Sequence, residues 1–303
     1  MARIHYYRIH YYRLPTERPN PRSRALDRLS PVAIARLMNR ADREAVKAVG
    51  GAAPAIGRAV TAIVARLGSG GRLIFVGAGT SGRLGVIEAA ECPPTFITRP
   101  GQVQAVMAGG RRAVFRSVEG AEDDARAGAR AVRGRADRRD AVVGIAASGV
   151  TPFVRAGLGE ARRRGALTVL VTCNPRVSRR AARIVIALDV GPEVLAGSTR
   201  LKAGTATKLT LNTLTTAAFT RLGKVHGNRM VDLQPKSAKL RARARRLVRD
   251  LGHVSAVRAG KILDQAGGSA KVAVVMARRR VMAAEARRRL RSAGGFLGPA
   301  AGI

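Results

Sequence analysis

From Arg72 onward, short apolar runs alternate with segments of helical periodicity. The runs are Leu73–Val76, Val103–Met107, Ala141–Ala146, Leu167–Thr172 and Ile184–Leu188. They are mostly apolar and rich in β-branched residues, which predicts strands buried on both faces of a parallel sheet. Helical segments are predicted between them near Ser81–Ala90, Glu119–Val132, Pro152–Arg164 and Arg176–Ala182. This alternation predicts a doubly wound α/β domain with five parallel strands. Its ligand is expected outside the carboxyl ends of the strands, near the point where the strand order reverses.

Helical spacing governs the flanks. Ile34, Leu37, Met38, Ala45, Val46 and Val49 predict a helix in Ser30–Arg66, with Ser30 as N-cap and Pro31 at its first position. Gly50-Gly51 is expected to break it before a second helix carrying Ile56, Val60, Ile63, Val64 and Leu67. After the last strand, Gly197–Leu214 leads into a long helix with Leu201, Leu209, Leu211 and Leu214 as its buried stripe. Lys236–Leu290 is helical again, broken at Gly252, Gly267 and Gly268, and reads as a small appendage packing on the sheet domain or on a partner subunit.

Composition narrows the class. The 303 residues are 46% hydrophobic but only 3% aromatic, with no Trp, so the core must be built from Val, Leu, Ile and Ala. No apolar run reaches the ~18 residues of a membrane span, and no apolar h-region of a secretory signal is present. Cys92 and Cys173 show neither metal-ligand spacing nor a disulfide framework, and a reducing, cytoplasmic setting is expected. The net charge of +37 is extreme. The arginines fall in the polar stretches, without aromatic interleaving, zinc spacing or an RNA-binding motif. Nonspecific adhesion to polyanions is therefore expected, and a specific nucleic-acid partner is not. A tandem repeat, Arg3–Tyr7 and Arg8–Tyr12, holds all four tyrosines and reads as a disordered extension.

The chemistry is concentrated in turns. Strand Leu73–Val76 is followed by Gly77, Gly79 and Gly82 with Thr80 and Ser81 between them. Main-chain N–H groups and two hydroxyls at a helix N-terminus favour an anion. A dinucleotide would call for an acid about 20 residues on; Thr98-Arg99-Pro100-Gly101 holds none. A P-loop is excluded because no Gly-Lys-Ser/Thr closes the turn. A second turn, Ala147-Ser148-Gly149-Val150-Thr151-Pro152, ends the third strand. Its hydroxyls either join the first turn on one phosphate or merely cap a helix. Ser198, Thr199, Lys202 and Thr205 add hydroxyls and a cation at the start of the long helix; Lys202 is a phosphate partner or a solvated lysine.

Six segments, GAGTSGRLGVIEAAECPPTF, SVEGAEDDA, VVGIAASGVTP, TCNP, GPEVLAGSTRLKAGTATKL and GKVHGNRMVDLQ, closely resemble the N-acetylmuramic acid 6-phosphate etherases, and the likeness begins at LPTERPN. It implies a sugar isomerase (SIS) domain with N-terminal helices and a small ubiquitin-associated-like C-terminal bundle. Expected bounds are 1–13 for the extension, 14–68 for the N-terminal helices, 69–232 for the sugar-phosphate domain and 233–303 for the bundle. It also implies a homodimer that uses no metal or cofactor and cleaves the D-lactyl ether at C3 of the sugar.

By the same resemblance Glu91 is the acid that protonates departing lactate and then activates water, and Glu122 is the second carboxylate, taken as the C2 base. Thr80, Ser81, Ser148 and Thr151 are expected to bind phosphate, with Ser198 and Lys202 in second rank. A helix over Ser81–Ala90 would put Glu91 about 15 Å along its axis from the phosphate loop, leaving open which subunit's site it completes. Val150 stands where the family pattern has an arginine, Ala90 where it has serine and Thr207 where it has glutamine. Arg176-Val177 and Arg229 also depart from the pattern. The alternative is a non-catalytic phosphosugar-binding regulator, since the glucokinase regulatory protein resembles the etherases.

Overall fold

The computed structural model describes residues 14–233, 235 and 237–303, and the tyrosine repeat lies outside them. The chain forms two compact units. The first extends to Ala89 and resumes over Gly101–Leu214; the second comprises Ala90–Pro100 and Thr215–Ile303.

The first unit opens with helices α1 (Pro31–Gly51) and α2 (Ala53–Gly68). Ser30 accepts the N–H of Ala33 and Pro31 occupies the first turn, as the capping pattern predicts. The two glycines do not end α1; the break falls one residue later, at Ala52. Then follow β1 (Leu73–Gly77), α3 (Gly79–Phe96), β2 (Val103–Met107), α4 (Arg112–Phe115), α5 (Ala125–Arg133), β3 (Ala141–Ile145), α6 (Pro152–Arg163), β4 (Leu167–Thr172), β5 (Ile184–Ala187) and α7 (Lys202–Arg221).

The five strands form one parallel sheet in the order β2-β1-β3-β4-β5. Every residue of β1, β3 and β4 is buried, which is why these strands read as unbroken apolar runs. On one face Ile74, Val76, Val142 and Leu170 share a core with Phe153, Val154 and Leu158 of α6 and Val132 of α5. The chain leaves β1 toward β2 on one side and returns to β3 on the other. That reversal opens a crevice between the turns that follow β1 and β3.

Two predicted helices differ. The segment over Glu119–Val132 becomes helical only at Ala125, because Asp124 takes the Ala127 N–H at 2.7 Å and caps the helix there. Arg176–Ala182 holds only a 3-10 turn, Arg179–Ala181, capped by Ser178. α3 in turn runs past its expected end through Pro93 and Pro94. The prolines leave the carbonyls of residues 89 and 90 without their helical N–H donors. What the extension gains is burial of Cys92 and Phe96, the latter stacked on Phe219 with ring centroids 4.8 Å apart.

The second unit adds a hairpin of β6 (Val225–His226) and β7 (Arg229–Met230), then helices α8 (Ala238–Gly252), α9 (Ala256–Gln265), α10 (Ala270–Arg279), α11 (Ala283–Ser292) and α12 (Leu297–Ala301). Ser237, Ser255 and Ser269 cap α8, α9 and α10. Their core is Ala244, Val248, Leu263, Val272–Met276 and Leu297. Lys271 lies within it, paired with Asp232 at 3.1 Å and donating to the carbonyls of Gly223 and Gly295 at 2.9 Å. Burial pulls its ammonium below the usual lysine range. Among the described residues no single helix is long and apolar enough to cross a membrane.

Candidate functional site

β1 ends in a turn so tight that a Cβ on Gly77 would stand 2.7 Å from the amide nitrogen of Gly82. Only glycine fits there, and α3 can therefore begin at once, with Thr80 and Ser81 in its first turn. The turn after β3 is built from polar bonds instead. Ser148 Oγ accepts the Val150 N–H at 3.2 Å and lies 3.4 Å from Thr151 Oγ1. Asn174 Nδ2 donates to the Ser148 carbonyl at 2.9 Å, and Thr172 Oγ1 donates to the Ala147 carbonyl at 3.1 Å. Thr151 makes no capping bond to α6.

Both turns face one cavity of about 360 Å³. Thr80, Ser81, Ser148 and Thr151 all line it, together with Glu122. The placement of Glu122 has a clear local cause. Its carbonyl accepts the N–H of Phe153, one of the orphan donors in the first turn of α6, at 3.0 Å. The Glu122 turn is thereby pinned to the same helix start as Thr151. The first turns of α3 and α6 and four hydroxyl-bearing residues are donors of the kind that favour an anion. Among the described residues no lysine, arginine, histidine or cysteine lines the cavity; Glu17, Glu122 and Asp123 do.

Three expected residues fall elsewhere. Lys202 is fully buried at the start of α7, its Nζ 2.8 Å from Glu44 and 2.6 Å from the Val190 carbonyl. That ammonium is already partnered and does not reach the cavity lining. Ser198 is half-buried between two residues that do line the cavity, Gly197 and Thr199. Glu91 is exposed, on the stretch of α3 that belongs to the second unit.

Other lining residues had no sequence signal of their own. Leu14, Thr16 and Glu17 come from the LPTERPN segment, held by the Gly197 N–H donating to the Thr16 carbonyl at 3.0 Å. A contact across that chain separation leaves no periodicity, and only the family resemblance marked the segment. Asp123 was hidden beside Glu122, while Thr199 was among the hydroxyls noted at the start of the long helix.

Lys202 answers a structural need. The carboxylate of Glu193, also fully buried, accepts the N–H groups of Lys202 and Ala203 at 3.0 and 2.9 Å and so caps α7, while burial raises its pKa. Glu44 is held below the usual carboxylate range by its hydrogen bond to Lys202. A depressed carboxylate contributes stability above its unfolded pKa and loses it as pH falls through the folded one. Glu44→Gln should therefore lower Tm at pH 7, and the gap from the parent should close as pH drops through that lowered value. The loss should fall below the ~3–5 kcal/mol of a fully buried pair, because the Glu44 side chain is 40% exposed. Thermal unfolding of both proteins between pH 7 and pH 3 checks this.

A larger groove of about 910 Å³ lies at the amino ends of β4 and β5 and carries Arg66, Arg162, Arg180 and Arg183 but no carboxylate. Open parallel sheets bind ligands at the carboxyl ends of their strands, and the smaller cavity has both turns there. Cys173, which follows β4, offers no nucleophile: burial and nearby Glu193 push its thiol up to about 12.

Residues 55–161 match the glucokinase regulatory protein N-terminal SIS domain. The chain is 51% identical over 264 residues to an N-acetylmuramic acid 6-phosphate etherase of Synechococcus sp. (strain CC9605), covering 86% of this chain and 84% of that one. It is 50% identical over 287 residues to the protein of that name from Gloeobacter violaceus, covering 94% of each. For the one from Cutibacterium acnes the figure is 49% over 284 residues, covering 93% of each. Among solved structures, a phosphoheptose isomerase from Francisella tularensis aligns with TM-score 0.48 at 18% identity, over 65% of this chain and 98% of that one.

Proposed function

The chain belongs to the N-acetylmuramic acid 6-phosphate etherase family, and from that membership we propose how its residues carry the reaction. It cleaves the D-lactyl ether of N-acetylmuramic acid 6-phosphate to N-acetylglucosamine 6-phosphate and D-lactate, a lyase-type step on a sugar phosphate. The observation that carries the assignment of residues is the position of Glu122 beside Thr80, Ser81, Ser148 and Thr151 in one cavity.

In this reading the phosphate sits against the first turns of α3 and α6, held by main-chain N–H groups and the four hydroxyls. With the sugar in its open-chain form, the C2 proton lies alpha to the aldehyde. Glu122 takes that proton, and the electron pair delocalises into the C1 carbonyl. The C3–O bond then breaks, and the lactate oxygen receives a proton from Glu91. The resulting carboxylate removes a proton from water as the water adds to C3. Protonation at C2 restores the aldehyde. Two carboxylates serve both directions of proton transfer.

Residues 69–232 are read as the sugar-phosphate domain and 233–303 as its helical partner. The working form is read as a homodimer in the cytoplasm, with Glu91 completing a site. Release of D-lactate tests the reading. A phosphosugar-binding regulator would bind the substrate and release none.

The turn after β3 lacks the arginine that the family pattern places at Val150. Val150→Arg is expected to lower KM by about tenfold or more, the worth of one charge-assisted hydrogen bond to phosphate. Steady-state kinetics decide it: an unchanged or raised KM would count against the phosphate assignment of this turn.

A further inference from the structure

The cavity holds a carboxylate that this two-glutamate scheme leaves unused. Glu17 ends the short turn Pro15–Glu17 and lines the same space as Glu122. Its segment is fastened at two points. Besides the Gly197–Thr16 bond, Asn20 Nδ2 donates to the Pro192 carbonyl at 3.1 Å. Thr16 is buried, and its hydroxyl donates to Glu17 Oε1 at 3.4 Å. Glu17 Oε2 stands 3.0 Å from where a Cβ on Gly197 would be, so the missing side chain there makes room for the carboxylate. Among the described residues no cation lines the cavity beside it.

An ionised carboxylate only accepts hydrogen bonds. Half-buried and facing a cavity, with the Thr16 hydroxyl on one oxygen, Glu17 has room for a further donor. The reading above gives the phosphate to the helix N-termini and C2 to Glu122. The donors present in both the ring and the open-chain forms are the acetamide N–H at C2 and the C4 hydroxyl; with C2 given to Glu122, the C4 hydroxyl is the one left for Glu17. We propose, resting on that reading, that Glu17 is a positioning and specificity residue whose carboxylate accepts a hydrogen bond from the C4 hydroxyl of the phosphosugar. A chain held at C4 and at its phosphate presents C2 and C3 in a fixed register. An analogue lacking that hydroxyl leaves Glu17 unpaired, which disfavours it.

Glu17→Ala is expected to raise KM for N-acetylmuramic acid 6-phosphate by about tenfold or more, with kcat changed by less than about threefold. Glu17→Gln keeps an accepting oxygen and should recover most of the loss. On the 4-deoxy analogue the parent should show the raised KM and Glu17→Ala should add nothing to it. An unchanged KM in Glu17→Ala, a fall in kcat at constant KM, or an undiminished effect on the 4-deoxy analogue would overturn the proposal. Should Glu17→Ala not fold, Glu17→Met, which keeps the length of the side chain and loses its accepting oxygens, carries the same comparison against the two substrates. If the parent protein releases no D-lactate, the etherase reading fails separately. Glu17 is then judged by titration with N-acetylglucosamine 6-phosphate, where weaker binding by Glu17→Ala supports its role and equal binding refutes it.

Discussion

Glu122→Gln is expected to cut D-lactate release by about 10²–10⁴-fold, the usual worth of a positioned general base. The amide keeps the shape of the side chain but cannot take the C2 proton. The bond that places the residue runs through its carbonyl to the Phe153 N–H and is untouched by the change. Phosphosugar binding and Tm should therefore stay near the parent values. Exchange of the C2 proton with solvent separates the two glutamates. Glu122→Gln should lose both exchange and lactate release, whereas Glu91→Gln should lose release and retain exchange. Normal exchange in Glu122→Gln would show that the base has been assigned to the wrong carboxylate.

Gly128→Ala should have a large effect on the fold. A Cβ at this position on α5 would stand 2.1 Å from the carbonyl oxygen of Phe153 and 2.8 Å from its carbonyl carbon. Backbone cannot swing aside as a side chain does, so α5 and α6 must separate. Alanine favours a helix over glycine by about 1 kcal/mol, and overpacking of this severity costs ~3 kcal/mol or more. A net loss of at least ~2 kcal/mol follows, seen as a lowered denaturation midpoint. Catalysis should fall as well, because the same Phe153 fastens Glu122 through its N–H. Gly134→Ala is the control: nothing stands within 4 Å of its Cβ. Equal stability of the two variants would mean that the α5–α6 approach does not set the position of the site.

The sheet was legible because its signals are local. Leu73–Val76, Ala141–Ala146 and Leu167–Thr172 are almost wholly apolar because the sheet covers both faces of β1, β3 and β4, and these runs together with Val103–Met107 and Ile184–Leu188 all correspond to strands. The turns Thr80-Ser81 and Ser148–Thr151 were readable for the same reason, each following directly on its strand. The rest depended on contacts that no local pattern records. Lys202 looks like a phosphate ligand until Glu44, far away in sequence, is seen to occupy its ammonium. Glu17 looks like one acid among prolines until Gly197 brings its segment to the cavity. Glu122 carries no periodic signal, and only the family resemblance singled it out. The helix that was expected from Glu119 failed because Asp124 is a better cap than a helix-interior residue.

The account depends on elimination across C2–C3 followed by addition of water, driven from a cavity that binds the sugar by its phosphate. Turnover of N-acetylmuramic acid 6-phosphate in D₂O enriched in ¹⁸O, with both products weighed by mass spectrometry, tests this most directly. The account predicts N-acetylglucosamine 6-phosphate carrying deuterium at C2 and ¹⁸O at C3, with D-lactate free of ¹⁸O at its former ether oxygen. Lactate bearing ¹⁸O there, an unlabelled C2, or no lactate at all would contradict it.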